Sequence, residues 1–168
     1  MTSNDDNFHP DLRLLQRACA SHGLAWSALR HEAESADYAA ASFELDGLRL
    51  RFRLARITPT KLGQFVTLWK RASGGPIQPF DESDAVDLFV IGTRDGERFG
   101  QFVFPMAVLA ARDVVARAGQ GGKRAMRVYP PWVRTTSKQA QATQRWQLAY
   151  FLAHDADAAT ARRLYGLS

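Results

Sequence analysis

Seven residues constrain this chain more than any others. Leu48 to Leu54 reads Leu-Arg-Leu-Arg-Phe-Arg-Leu. Strict alternation of apolar and charged side chains fits a β-strand whose one face is buried and whose other face carries Arg49, Arg51 and Arg53. The strand follows Ser42 to Leu45 across Asp46-Gly47, a pair suited to a two-residue type I′ turn. The chain must therefore build a β-hairpin with an arginine face. That face is either solvated or set against an anion.

Other segments supply the rest of a fold. Ala85 to Gly92 and Arg98 to Phe104 form a second hairpin about Arg94-Asp95-Gly96. Gln64 to Arg71, rich in Phe, Val, Thr and Trp, reads as a strand, and Arg124 to Tyr129 as a short one stopped by Pro130-Pro131. Pro10 to His22 spaces Leu12, Leu15 and Cys19 as a helix does, and Gly23 ends it. Pro105 as N1 opens a helix over Met106 to Ala118, apolar almost all round and hence buried. Thr136 and Gln139 form a capping box for a helix over Ser137 to Ala153, and Asp157 to Tyr165 makes a short tail helix. Leu24 to Asp37 reads as loop with a helical turn, and Thr58-Pro59-Thr60-Lys61 as a turn or helix start. The sum is an α/β fold, a mixed sheet flanked by helices. Residues 10–168 form one domain, and residues 1–9 a disordered N-terminus.

Charge is unevenly placed. Met1 to Asp46 holds eight acids and three bases, whereas Gly47 to Tyr150 holds seventeen bases and seven acids. The second segment attracts polyanions, and the acidic neighbour is not expected to cancel its local field. Eighteen of the 22 bases are arginine, the side chain best suited to bidentate phosphate contacts. The start is polar and acidic, unlike a signal peptide, and no run is apolar enough to span a membrane. A single cysteine, Cys19, cannot form an internal disulfide and reads as a core residue, which suits the cytoplasm.

Most catalytic motifs are missing. The four histidines are scattered, and there is no HExxH and no GxSxG. Gly119 to Arg124 lacks the Ser or Thr of a phosphate loop and joins a helix to a strand, so it reads as a flexible connector. Two constellations remain. Lys123 to Trp146 mixes Lys123, Arg124, Arg127, Tyr129, Trp132, Arg134, Lys138, Arg145 and Trp146 with no acid, the make-up of a surface for phosphates and bases, although Trp146 reads as core. Asp84 and Asp87 sit at the start of one strand, Gln101 sits on its hairpin partner, and Glu44 is available as a third acid. Such a set suits a divalent metal, or else the acids keep a turn soluble.

These pieces occur in a particular order. Thr58-Pro59-Thr60-Lys61 with Gly63-Gln64-Phe65-Val66 and Trp69-Lys70-Arg71 comes first, then Gly100-Gln101-Phe102-Val103-Phe104-Pro105. Lys123-Arg124-Ala125, Arg127-Val128-Tyr129-Pro130, Gln139-Ala140, Thr143-Gln144, Trp146-Gln147 and Tyr150-Phe151 follow. From about Tyr38 to Leu152 this series resembles the MepB-like family. The resemblance implies a restriction-endonuclease-like three-layer core, in which an Asp begins one strand and an acid-x-Lys lies on the next. Asp84 or Asp87 fills the first place. Gln101 and Val103 stand where the acid and the lysine belong, so the site reads as degenerate, and Lys61 or Lys70 would have to supply the positive group.

The expectation is a nucleic-acid-binding protein, DNA favoured over RNA, that does not hydrolyse its ligand. Contacts are expected from Arg51, Arg53, Lys61, Lys70, Arg71, Lys123, Arg124, Arg127, Tyr129, Trp132, Arg134 and Lys138. One alternative is a nuclease using Mg²⁺ or Mn²⁺ held by Glu44, Asp84 and Asp87, with Gln101 and Lys61 as further site residues. Another is an accessory protein that binds a protein or small ligand through Trp69, Trp132 and the Thr58–Lys61 loop.

Overall fold

The computed structural model describes residues 7–167. Eleven strands and four α-helices are found among them. Helix α1 (Pro10–Ser21) starts on proline, and the His9 ring accepts from the Asp11 amide. Phe8 is buried and stacks on His31 at 3.9 Å. Packing therefore begins before residue 10, while residues 1–6 of the expected disordered terminus lie outside the described residues.

The expected loop after α1 contains a strand, β1 (Trp26–His31). A bulge between Ser27 and Arg30, with Ala28 at φ 54°, turns Trp26 and Leu29 toward the core at a spacing of three. That spacing hides the strand from a search for period two. β2 (Ala41–Leu45) and β3 (Leu48–Leu54) form the expected hairpin. Asp46 and Gly47 both have positive φ, as a type I′ turn requires. β8 (Leu88–Asp95) and β9 (Arg98–Pro105) form the second hairpin.

These strands join β11 (Phe151–Ala153) in a six-stranded sheet of order β1-β2-β3-β8-β9-β11. It is mixed, because β3 and β8 run parallel while the other neighbours are antiparallel. One face packs Leu50, Phe52, Val90 and Val103 against α1 and α4 (Ala158–Leu164). The other face packs Phe89, Ile91, Phe102 and Phe104 against a third layer. That layer contains α2 (Met106–Ala111), α3 (Lys138–Leu148) and a small sheet of order β10-β5-β4, where β4 is Arg56–Ile57, β5 is Gln64–Thr67 and β10 is Ala125–Val128. β6 (Trp69–Arg71) and β7 (Ile77–Pro79) pair as a separate ribbon. The architecture is the expected mixed α/β one, with the sheet between two outer layers. None of the described helices is long and apolar enough to cross a membrane.

Three expected elements end early. α2 stops at Ala111, Pro105 is its N-cap, and Asp113 adopts a left-handed φ of 59°. Val114, Val115 and Ala116 are buried beyond the helix, where the Ala116 amide donates to the Phe80 carbonyl. Tertiary burial, not a longer helix, explains their apolar character. α3 is capped by Ser137 rather than Thr136, and Phe151 to Ala153 leave it to pair with β9. The expected strand from Gln64 to Arg71 breaks at Leu68, so its halves join different sheets.

Candidate nucleic-acid interface

The arginine face of β3 points toward the third layer and is neutralised there. Arg53 is fully buried; its Nη1 and Nη2 donate to the two carboxylate oxygens of Glu32 at 2.7 and 2.9 Å. Arg51 reaches the same carboxylate at 3.1 Å. Phe80 packs below both guanidinium groups, with its centroid 5.9 and 6.0 Å away. Arg49 donates through Nε, and through its backbone amide, to Asp87. Lys70 meets Asp84 at 2.6 Å, and Arg71 lies 3.6 Å from Glu34 while stacking over Trp69.

This corrects the expectation for Arg53 and sets three other expected contact residues beside acids. Arg53 is inaccessible, and Arg51, Lys70 and Arg71 are paired with acids. The acidic head does cancel part of the basic body. Glu32 and Glu34 come from the head, and so does Asp11, which binds Arg94 at 2.7 Å. Sheet pairing folds the two segments onto each other, which a count along the chain cannot register.

The carboxylates also hold the loop leading into β8. Asp81 accepts from the Ser83 amide and hydroxyl and from the Gly119 amide. Those donors, the Gly119 amide first, hold its carboxyl down to about 2. Asp84 accepts from the Asp81 amide as well as from Lys70. The Arg49 amide is the main cause of the lowered pKa of Asp87. Gly119, pinned by Asp81, and Gly122, whose amide donates to Asp113, fasten the glycine turn that reads as a flexible connector.

The expected metal set does not assemble. Glu44 is exposed on β2 opposite Arg49, which stands between it and Asp87 as their shared neighbour. Gln101 is buried on the other face of the sheet, beside Tyr165 and the α1–α4 layer, with Val103 on that same face. Lys61 lines a different cavity from Asp84. Among the described residues no three His, Cys, Asp or Glu side chains are grouped as metal ligands.

A second basic region behaves differently. A groove of about 510 Å³ opens between β10 and α3. Lys61, Arg112, Lys123 and Arg127 line it, no acid does, and among the described residues none of the four is ion-paired. Phe65, Tyr129 and Trp146 supply its aromatic wall. Arg112 stacks over Trp146 at 4.9 Å. Arg127 is held by Thr58 Oγ1 and the Leu62 carbonyl, bonds that fix its position and keep its charge. Ser137 and Ala140 bring the start of α3 to the rim; Ser137 Oγ accepts from the Ala140 amide, and the remaining first-turn N–H groups and the helix dipole favour an anion. Buried Gln147 bolts α3 to the edge of β10: its Nε2 donates to the Arg127 carbonyl and its Oε1 accepts from the Tyr129 amide.

Lys61, Lys123, Arg127 and Tyr129, all expected as contact residues, are thus brought together. Trp132 and Arg134 line an adjoining cavity with the Thr58–Lys61 loop, while Trp69 lies apart, beside Arg71. Arg124 and Lys138 are exposed. Trp146, expected in the core, is half-buried and faces the groove. Nothing local in the sequence marks Arg112, Phe65 and Gln147 as groove residues, because only the pairing of β5 with β10 and the packing of α3 place them here.

The MepB-like family profile matches residues 32–153. A crystal structure of MepB superposes with a TM-score of 0.77 at 32% identity, covering 89% of this chain and 100% of that one. A bacterial homing endonuclease superposes with a TM-score of 0.46 at 14% identity, covering 89% and 93%. No curated protein matches the sequence.

Proposed function

The chain belongs to the MepB-like family, and from that premise and the two-region charge layout we propose that it binds nucleic acid in the β10–α3 groove without cleaving it. The groove carries the reading. Four cations with no ion-pair partner among the described residues lie beside three aromatic side chains and a helix start. Phosphates satisfy the cations, and the aromatic wall suits sugars and bases. Cations without an acid partner line this groove, so the backbone of the ligand tracks along Lys61, Arg127 and Lys123.

Binding without cleavage fits the carboxylates. Asp84 and Asp87 are each committed to a base and to a backbone amide, and Gln101 lies across the sheet. Fluorescence anisotropy with labelled DNA and RNA oligonucleotides tests the reading. Affinity is expected to fall steeply with salt, and the slope of log Kd against log salt to shrink by about 1 for each groove cation removed. Incubation of the same strands with Mg²⁺ or Mn²⁺ should leave them intact. Absence of binding to either polymer at low salt would sink the proposal.

A further inference from the structure

The cavity beside the groove has features that phosphate binding does not use. The segment from Thr58 to Gly63 links β4 to β5. Ile57 at its start is 57% exposed and Leu62 near its end 50% exposed, two of the three large apolar side chains exposed among the described residues. Their exposure is built in. Arg127 donates to Thr58 Oγ1 and to the Leu62 carbonyl, so one guanidinium fastens both ends. Gly63, at φ 79°, lies against the Tyr129 ring so closely that a Cβ there would come within 2.7 Å of it.

Trp132 and Val133 stand across from this loop and complete a cavity of about 450 Å³. Two of its lining residues carry polar atoms with no hydrogen-bond partner, Trp132 Nε1 and Gln64 Oε1. One is a donor and the other an acceptor. Lys61 lines both this cavity and the groove, and Arg134 adds a second cation here. Asp95 is the acid on its wall and repels phosphate, which keeps a polyanion's backbone on the Lys61 side.

We infer that this cavity receives one unpaired nucleobase from a strand whose phosphate rests on Lys61. The inference rests on the nucleic-acid reading of the groove and narrows it to single-stranded or locally unpaired ligands. A flat apolar group covers Ile57, Leu62 and Trp132, and its attached anion meets Lys61. A base stacked inside a duplex cannot present itself in this way.

The experiment uses the full chain and three labelled probes of equal length: an oligothymidylate, an abasic strand of the same backbone and a blunt duplex. The oligothymidylate is expected to bind about tenfold more tightly than either other probe. Leu62→Ser with Ile57→Ser, at positions exposed enough to leave folding intact, should erase that preference while the abasic strand keeps its affinity. Equal binding of the abasic and base-bearing strands, or of duplex and single strand, overturns the base cavity and leaves the groove reading standing. Failure of all three probes and of their RNA counterparts to bind at low salt overturns both.

Discussion

Two basic regions of this molecule use the same side chains for opposite ends. On β3, Arg49, Arg51 and Arg53 face Asp87 and Glu32, and the neighbouring Lys70 and Arg71 face Asp84 and Glu34. Around the groove, none of Lys61, Arg112, Lys123 and Arg127 is ion-paired among the described residues. A base count treats the two as equal. The difference lies in which acids the sheet brings to each: the cations of the first region are ion-paired and those of the second are not.

The largest loss is expected at Glu32. Removing its carboxylate leaves Arg53 buried and unpaired, and Glu32→Ala should lower unfolding free energy by about 3–5 kcal/mol in urea titration. Loss below about 1 kcal/mol would mean that water or another group replaces Glu32. The matching change in the groove, Lys61→Ala with Lys123→Ala, should leave the urea midpoint near its wild-type value. It should weaken oligonucleotide binding roughly 10- to 100-fold at low salt, by anisotropy.

Asp81 sharpens the same contrast through pH. Its folded pKa lies near 2 against an ordinary 3.8, so its bonds to Gly119 and Ser83 stabilise the fold above about pH 4. That contribution disappears as pH falls through the folded value. Asp81→Asn should therefore be less stable than wild type at neutral pH, and the two unfolding curves should converge on acidification toward pH 2. A gap that persists at pH 2 would assign the loss to something other than the carboxylate's charge. The smallest effect belongs to Arg71 and Glu34, an exposed pair 3.6 Å apart. Arg71→Ala should shift stability by no more than about 0.5 kcal/mol.

How legible each region is follows from how local its determinants are. The β2–β3 hairpin is written in adjacent residues, as alternation plus Asp46-Gly47, and it forms as read. β1 is not legible because its bulge replaces period two with a spacing of three. Phe151 to Ala153 share the apolar character of the end of α3, and only the open edge of β9 makes them a strand. The same holds for the site. The acid-free tract from Lys123 onward is visible in sequence and supplies two groove cations. The pairing of Arg53 with Glu32, twenty-one residues earlier, leaves no local trace. Arg112 joins the groove from the end of α2 through packing alone.

The salt slope of oligonucleotide binding separates the two regions in one measurement. It is taken for wild type, for Lys61→Ala with Lys123→Ala, and for Arg49→Ala with Arg71→Ala, two substitutions at exposed ion pairs. The slope should shrink by about 2 in the groove variant and stay at the wild-type value in the β3-side variant. A slope that shrinks only in the β3-side variant would show that the paired arginines meet the polyanion and that the groove is not its seat, and equal shrinkage in both would contradict the separation of the two regions.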